Sequence, residues 1–131
     1  VLERYPGDDV VDVISFDSYQ YDGNYVQQVQ QQLALLDSIA TEKGKIPAFG
    51  ETGYEAIPDA LWWTRSLLTA IGSYKIAYVL LWRNHGYNET MKRMHYYMPY
   101  PGQVSADDFK TFYNNDKTLF ERDAAAIGLY K

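Results

Sequence analysis

Three apolar runs alternate along this chain with stretches of helical periodicity, and each run ends in polar or aromatic residues. The middle run is the most informative. Ile46-Pro47-Ala48-Phe49 leads into Gly50-Glu51-Thr52-Gly53, so an apolar strand ends on a carboxylate with a glycine before it and another two residues on. A buried parallel strand delivers a side chain into a cleft at its C-terminal end in this way. Glu51 therefore reads either as a site carboxylate or as an ordinary loop glutamate.

The first run, Val10 to Tyr19, is rich in β-branched residues. A period of two places Val11, Val13, Ser15, Asp17 and Tyr19 on one face and Ile14 and Phe16 on the other. The first face turns polar towards its end, so Asp17 and Tyr19 either point into a site or mark a strand running out into a turn. The third run, Lys75 to Trp82, is almost unbroken and is expected to be covered on both faces. It ends in Trp82-Arg83-Asn84, an aromatic beside a fork-shaped cation.

Between the strands, Val26, Val29, Leu33, Leu36 and Ala40 recur at helical spacing, and Gly44 offers a stop. A second helix is expected from Ile57-Pro58-Asp59, with Leu61, Trp62, Leu68 and Ile71 as its apolar stripe and Trp63 at the edge. The tryptophan pair reads as packing. Residues 85–103 read as a long aromatic loop without periodicity. Ser105 and Asp108 have the spacing of a capping box opening the last helix, which Phe109, Phe112 and Tyr113 begin.

Composition removes several chemistries. A net charge of −5 argues against nucleic acid as a partner. There is no cysteine, hence no thiolate nucleophile or zinc-thiolate site. The longest apolar run is too short to cross a bilayer, so no membrane partner is expected. The two histidines, His85 and His95, stand ten positions apart in one loop, and no metal or other cofactor is expected. Ser66 and Ser73 lack an elbow motif. Aromatics make up 16% of the chain, which suits a sugar-stacking surface or a slice of a larger core.

Strand, helix, strand, helix, strand, helix is an α/β order needing a parallel sheet. Polar strand ends gathered on one edge of that sheet are the layout of a (β/α)8 barrel's active face, but such a barrel needs about 250 residues. The 131 residues, opening on Val1, are therefore expected to be one piece of a longer chain, a partial TIM barrel carrying its C-terminal three βα units across residues 1–131. A free-standing flavodoxin-like domain is the alternative, weakened because no Gly-rich phosphate loop follows any strand.

Tyr5-Pro6-Gly7-Asp8, Phe16-Asp17-Ser18-Tyr19, Phe49-Gly50-Glu51-Thr52-Gly53, Leu81-Trp82-Arg83-Asn84 and Pro99-Tyr100-Pro101-Gly102 together resemble the C-terminal half of a glycoside hydrolase family 26 β-mannanase. The resemblance implies endo-hydrolysis of β-1,4-mannan with retention, by an enzyme that is secreted or otherwise extracellular, including periplasmic or cell-surface. It implies that Glu51 is the nucleophile, that Tyr19 hydrogen-bonds it, and that Asp17 helps shape the site. Trp82 would lie against the sugar at the cleavage point and Arg83 would reach the neighbouring sugar. In that family the acid/base glutamate directly follows a histidine on the fourth strand. Here Gly86 follows His85 and Tyr96 follows His95, so this piece is expected to carry only the nucleophile half and to be inactive without the missing N-terminal half. A β-1,3-1,4-glucanase or β-xylanase of the same family, and a non-catalytic carbohydrate-binding fragment, are the alternatives.

Overall fold

The computed structural model describes residues 2–129. Three parallel strands, β1 (Val13–Tyr19), β2 (Ile46–Gly53) and β3 (Val79–Leu81), form one sheet in the order β1-β2-β3. Helix α1 (Tyr25–Lys43) returns the chain from β1 to β2 and ends at Gly44, whose left-handed φ of 63° lets its N–H reach back to the last turn. Its buried stripe is Tyr25, Val29, Leu33, Leu36 and Ala40, packed on the sheet face that carries Ile14 and Phe49. Tyr25 takes the place expected for Val26, because its hydroxyl meets the buried Thr52 hydroxyl.

The β1–β2 register runs in step from Val13 opposite Ile46 to Phe16 opposite Phe49, then slips so that Asp17 faces Glu51. Gly50 is the extra residue. Phe16 and Phe49 stack on the helix side at 4.5 Å between ring centroids. Strict alternation from Phe49 would return Glu51 to that same side. The bulge at Gly50 turns it over instead, and Thr52 takes the inward place.

Four expectations need correction. The third strand is short and half open: Tyr78 and Leu80 are 48% and 42% exposed, while Val79 and Leu81 pack on the core. Its second face has no covering layer among the described residues. The second helix starts as a π-helical segment, Trp62–Leu68, and only Thr69–Ile71 (α2) is α-helical. The wider π turn brings Trp62, Trp63, Ser66 and Leu67 all inward, so Trp63 is fully buried rather than marginal, and Leu61 is left outside at 48% exposed. The long loop contains an antiparallel hairpin, β4 (Gly86–Asn88) with β5 (Arg93–His95). Ser105 does not cap α3 (Ala106–Tyr113) through its side chain. Its Oγ accepts from Trp63 Nε1, and Asp108 accepts from the Thr64 amide and hydroxyl. Both polar groups tie α3 to the π-helical segment, and a last helix, α4 (Glu121–Ala126), follows. No helix among the described residues is long and apolar enough to cross a membrane.

Candidate active site

The ends of β1 and β2 bring three of the expected residues together. Val13, Ser15, Asp17 and Tyr19 alternate on the β1 face turned away from the helices, and the Gly50 bulge places Glu51 opposite Asp17. The Tyr19 hydroxyl donates to Glu51 Oε2 at 2.9 Å. That contact joins adjacent strands at their C-terminal ends, where the two backbones are held by ladder bonds and by Gln20 N–H to Gly53 O at 2.9 Å.

The electrostatics follow from this crowding. Burial, the hydrogen bond to Glu51 and the charge on Glu51 all push the Tyr19 hydroxyl pKa up, so it stays a proton donor throughout the neutral range. Partial burial and the Glu51 charge also raise the Asp17 carboxyl above the usual carboxylate range. Asp17 and Glu51 thus place two carboxyl groups opposite one another across the strand pair.

Both glycines beside Glu51 make room. A Cβ on Gly50 would stand 2.7 Å from Asp17 Oδ1 and 2.8 Å from Ser15 Oγ. One on Gly53 would stand 2.4 Å from Cδ1 of Tyr97. Neither has a left-handed φ, so close approach alone explains them.

Trp82 and Arg83 form a second group just past β3. The Trp82 amide donates to Thr52 O at 3.1 Å, which anchors this turn to the β2 end. The Arg83 guanidinium lies over the Trp82 ring, 5.9 Å from its centre, and its Nη1 meets His85 Nδ1. Stacking of this kind holds a cation flat against an indole and leaves donors pointing outward.

A rim closes over both groups, and sequence reasoning missed most of it. Glu55 pairs with Arg93 Nη2 at 2.8 Å and with His95 Nδ1 at 2.9 Å, which gives it a rim position. Tyr97 lies edge-on to Tyr19 at 5.5 Å and to His95 at 5.3 Å. Asn84 holds the Tyr97 and Met98 backbone through three hydrogen bonds, at 3.0, 2.9 and 3.1 Å. Beneath the rim, Ala56 and Ile57 have φ of 59° and 42°, a strained setting for a β-branched residue. Gln103 Nε2 donates to both of their carbonyls, at 3.1 and 2.9 Å. Among the described residues no cluster of three His, Asp or Glu side chains could hold a metal ion.

Two cavities lie elsewhere. One of about 740 Å³ runs beside β3 along Ile71, Ile76, Val79, Phe112 and Phe120. Another of about 500 Å³ runs beside β1 along Val11, Val13, Ile14, Leu35 and Ile39. Both are apolar grooves at the two edges of the sheet.

No family model matches the chain. Solved structures do. A family 26 β-mannanase from Bacteroides ovatus is 49% identical over 91% of this chain, with a TM-score of 0.81. The catalytic domain of a family 26 endo-β-1,4-mannanase from Bacillus sp. JAMB-750 is 30% identical over 98%, also at 0.81. A modular family 26 endo-β-1,4-mannanase from Cellulomonas fimi is 28% identical over 93%, at 0.74. The chain spans about a third of the length of these structures: 34%, 37% and 28% respectively.

Proposed function

We propose, from the premise that this chain resembles family 26 β-mannanases over nearly all its length, that it supplies the nucleophile side of a retaining endo-β-1,4-mannanase. The observation carrying this reading is the 2.9 Å hydrogen bond from Tyr19 to Glu51 at the C-terminal ends of two parallel strands. In a barrel, that edge is where reacting groups gather.

Retention proceeds by two displacements. In the first, a Glu51 oxygen attacks the anomeric carbon as the bond to the leaving sugar breaks, and an acid outside this chain protonates the departing oxygen. Tyr19 holds Oε2, so Oε1 is the oxygen presented to the sugar. In the second, water, deprotonated by the same outside group, displaces Glu51 from the opposite face. Each step inverts, and the product keeps the starting configuration. Asp17 shapes the polar floor beside Glu51. The Trp82 ring offers a flat apolar face to the C–H side of a pyranose, and Arg83 reaches hydroxyls of the next sugar.

We read the three βα units as the last three of a (β/α)8 barrel. The apolar grooves at both sheet edges support this, since a closed barrel would cover them with further strands and helices. The 131-residue piece alone is then inactive, because it lacks the acid/base group. An extracellular polysaccharide as substrate would put the enzyme outside the cytoplasm.

The test follows product stereochemistry by NMR as the full-length protein cleaves β-mannan, with xylan and mixed-linkage glucan alongside. The β-anomer should appear first, from mannan alone. The α-anomer appearing first, or faster cleavage of either other polysaccharide, contradicts the proposal.

A further inference from the structure

We infer that Tyr97 is a positioning residue for the Tyr19–Glu51 pair, seated in the notch that Gly53 leaves open and fastened from behind by Asn84. The inference rests on the reading of Glu51 as nucleophile and deepens it.

Tyr19 has a long reach to make. Its hydroxyl stays 2.9 Å from a carboxylate on the neighbouring strand, while its ring is only partly buried on the sheet face turned away from the helices, with Tyr21 6.4 Å away on one side. An aromatic ring held at one end only would swing between rotamers and carry the hydroxyl away. Tyr97 removes that freedom. Its ring meets Tyr19 edge-on, with 5.5 Å between centroids and 64° between planes, an arrangement favoured by the aromatic quadrupole.

Tyr97 is itself fixed on three sides. Cδ1, Cε1 and Cγ of its ring occupy the space a Gly53 side chain would need, at 2.4, 3.1 and 3.1 Å from that Cβ position. The His95 ring stands against it at 5.3 Å and 84°, and His95 is bound to Glu55. Asn84 Oδ1 accepts from the amides of Tyr97 and Met98, and its Nδ2 donates to the Met98 carbonyl. Because Asn84 directly follows Trp82 and Arg83, this clamp also couples the sugar-facing turn after β3 to the carboxylate at the end of β2.

The ring fills the notch, so phenylalanine should serve where alanine does not. The test is a double-mutant cycle in the full-length protein, with mannopentaose as substrate. Tyr97→Ala should lower kcat about ten-fold, the worth of one loosened hydrogen bond, with KM little changed. Tyr97→Phe should recover most of that loss. Combined with Tyr19→Phe, Tyr97→Ala should cost less than about two-fold more, because the bond it steadies is already gone. Should the alanine variant fail to fold, Tyr97→Leu keeps apolar bulk in the notch and completes the same cycle. A full additional ten-fold loss on top of Tyr19→Phe overturns the inference, as does a Tyr97→Phe enzyme no better than the alanine variant. Glu51→Ala is measured in parallel. If it is inactive while the cycle is additive, only the role of Tyr97 falls; if it keeps wild-type turnover, the nucleophile assignment and the role of Tyr97 fall together.

Discussion

The Tyr19 hydroxyl donates to Glu51 Oε2 across the β1–β2 seam, and it can do so only because the register slips by one residue at Gly50. Without that slip the Glu51 side chain would turn towards Phe16, Phe49 and the helices. One backbone irregularity thus decides whether the carboxylate is buried in apolar packing or presented at a strand end. Tyr19→Phe removes the donor and keeps the ring. Hydrogen bonds to charged groups are worth about 1.5–3 kcal/mol, so kcat/KM of the full-length protein should fall roughly 10- to 100-fold. An unchanged kcat/KM on mannooligosaccharides would mean that this bond plays no part in turnover.

Gly50→Ala separates activity from stability. The new methyl would meet Asp17 Oδ1, Ser15 Oγ and Ser15 Cβ at 2.7, 2.8 and 3.2 Å. The first two are ends of side chains that can rotate away, so stability should drop by no more than about 1–2 kcal/mol in denaturant melts. Turnover should fall much further, because Asp17 leaves its place opposite Glu51. A variant with wild-type turnover would show that the crowding at Gly50 is incidental.

Much of this was legible in the sequence, and the parts that were not have definite causes. Strand β2 has the bounds its apolar run and glycines suggest, and Gly44 ends α1 as expected. Such features are local: a period, a stop, a turn. The capping-box spacing of Ser105 and Asp108 does not make a cap because their partners, Trp63 and Thr64, lie far back in the chain, and tertiary hydrogen bonds outcompete a local cap. Trp63 is buried rather than marginal because an α-helical wheel does not describe a π-helical turn. Tyr97 was one tyrosine among thirteen, and only the notch at Gly53 distinguishes it. The direction in which Glu51 points depended on a bulge that no periodicity announces.

Asp17→Asn should stabilise the protein at neutral pH while impairing it as an enzyme. Partial burial and the Glu51 charge raise the Asp17 carboxyl in the folded state above its unfolded value of about 3.9. Between the two values the folded protein holds the proton that the unfolded chain has released. The contribution of Asp17 is therefore fully present below pH ~4 and is lost as pH rises through the folded value. Asparagine cannot ionise, so its advantage should appear at pH 7 and vanish near pH 4. Calorimetry across that range checks it; an advantage that grows towards acid would reverse the sign.

Gln103→Ala should unfasten the loop after β2. The side chain is 7% exposed, donates to the Ala56 and Ile57 carbonyls, and accepts from the Ser105 amide and hydroxyl. Removing it leaves buried partners unmatched under a strained Ile57, at about 2–4 kcal/mol of stability. Chemical denaturation of the full-length variant measures this. A loss below about 0.5 kcal/mol, the range of an ordinary surface change, would show that water replaces the amide without penalty.

The central claim is that Glu51 forms the covalent bond to the sugar, and azide rescue of Glu51→Ala in the full-length protein tests it most directly. Turnover should fall by several orders of magnitude, because the glycosyl-enzyme can no longer form. With an activated aryl β-mannoside as substrate, azide can enter the vacated space and attack the anomeric carbon from the Glu51 side. One displacement then replaces two, and the product should be the α-mannosyl azide. A β-mannosyl azide would contradict the account: it would mean that Glu51 handles the proton and that another carboxylate holds the sugar.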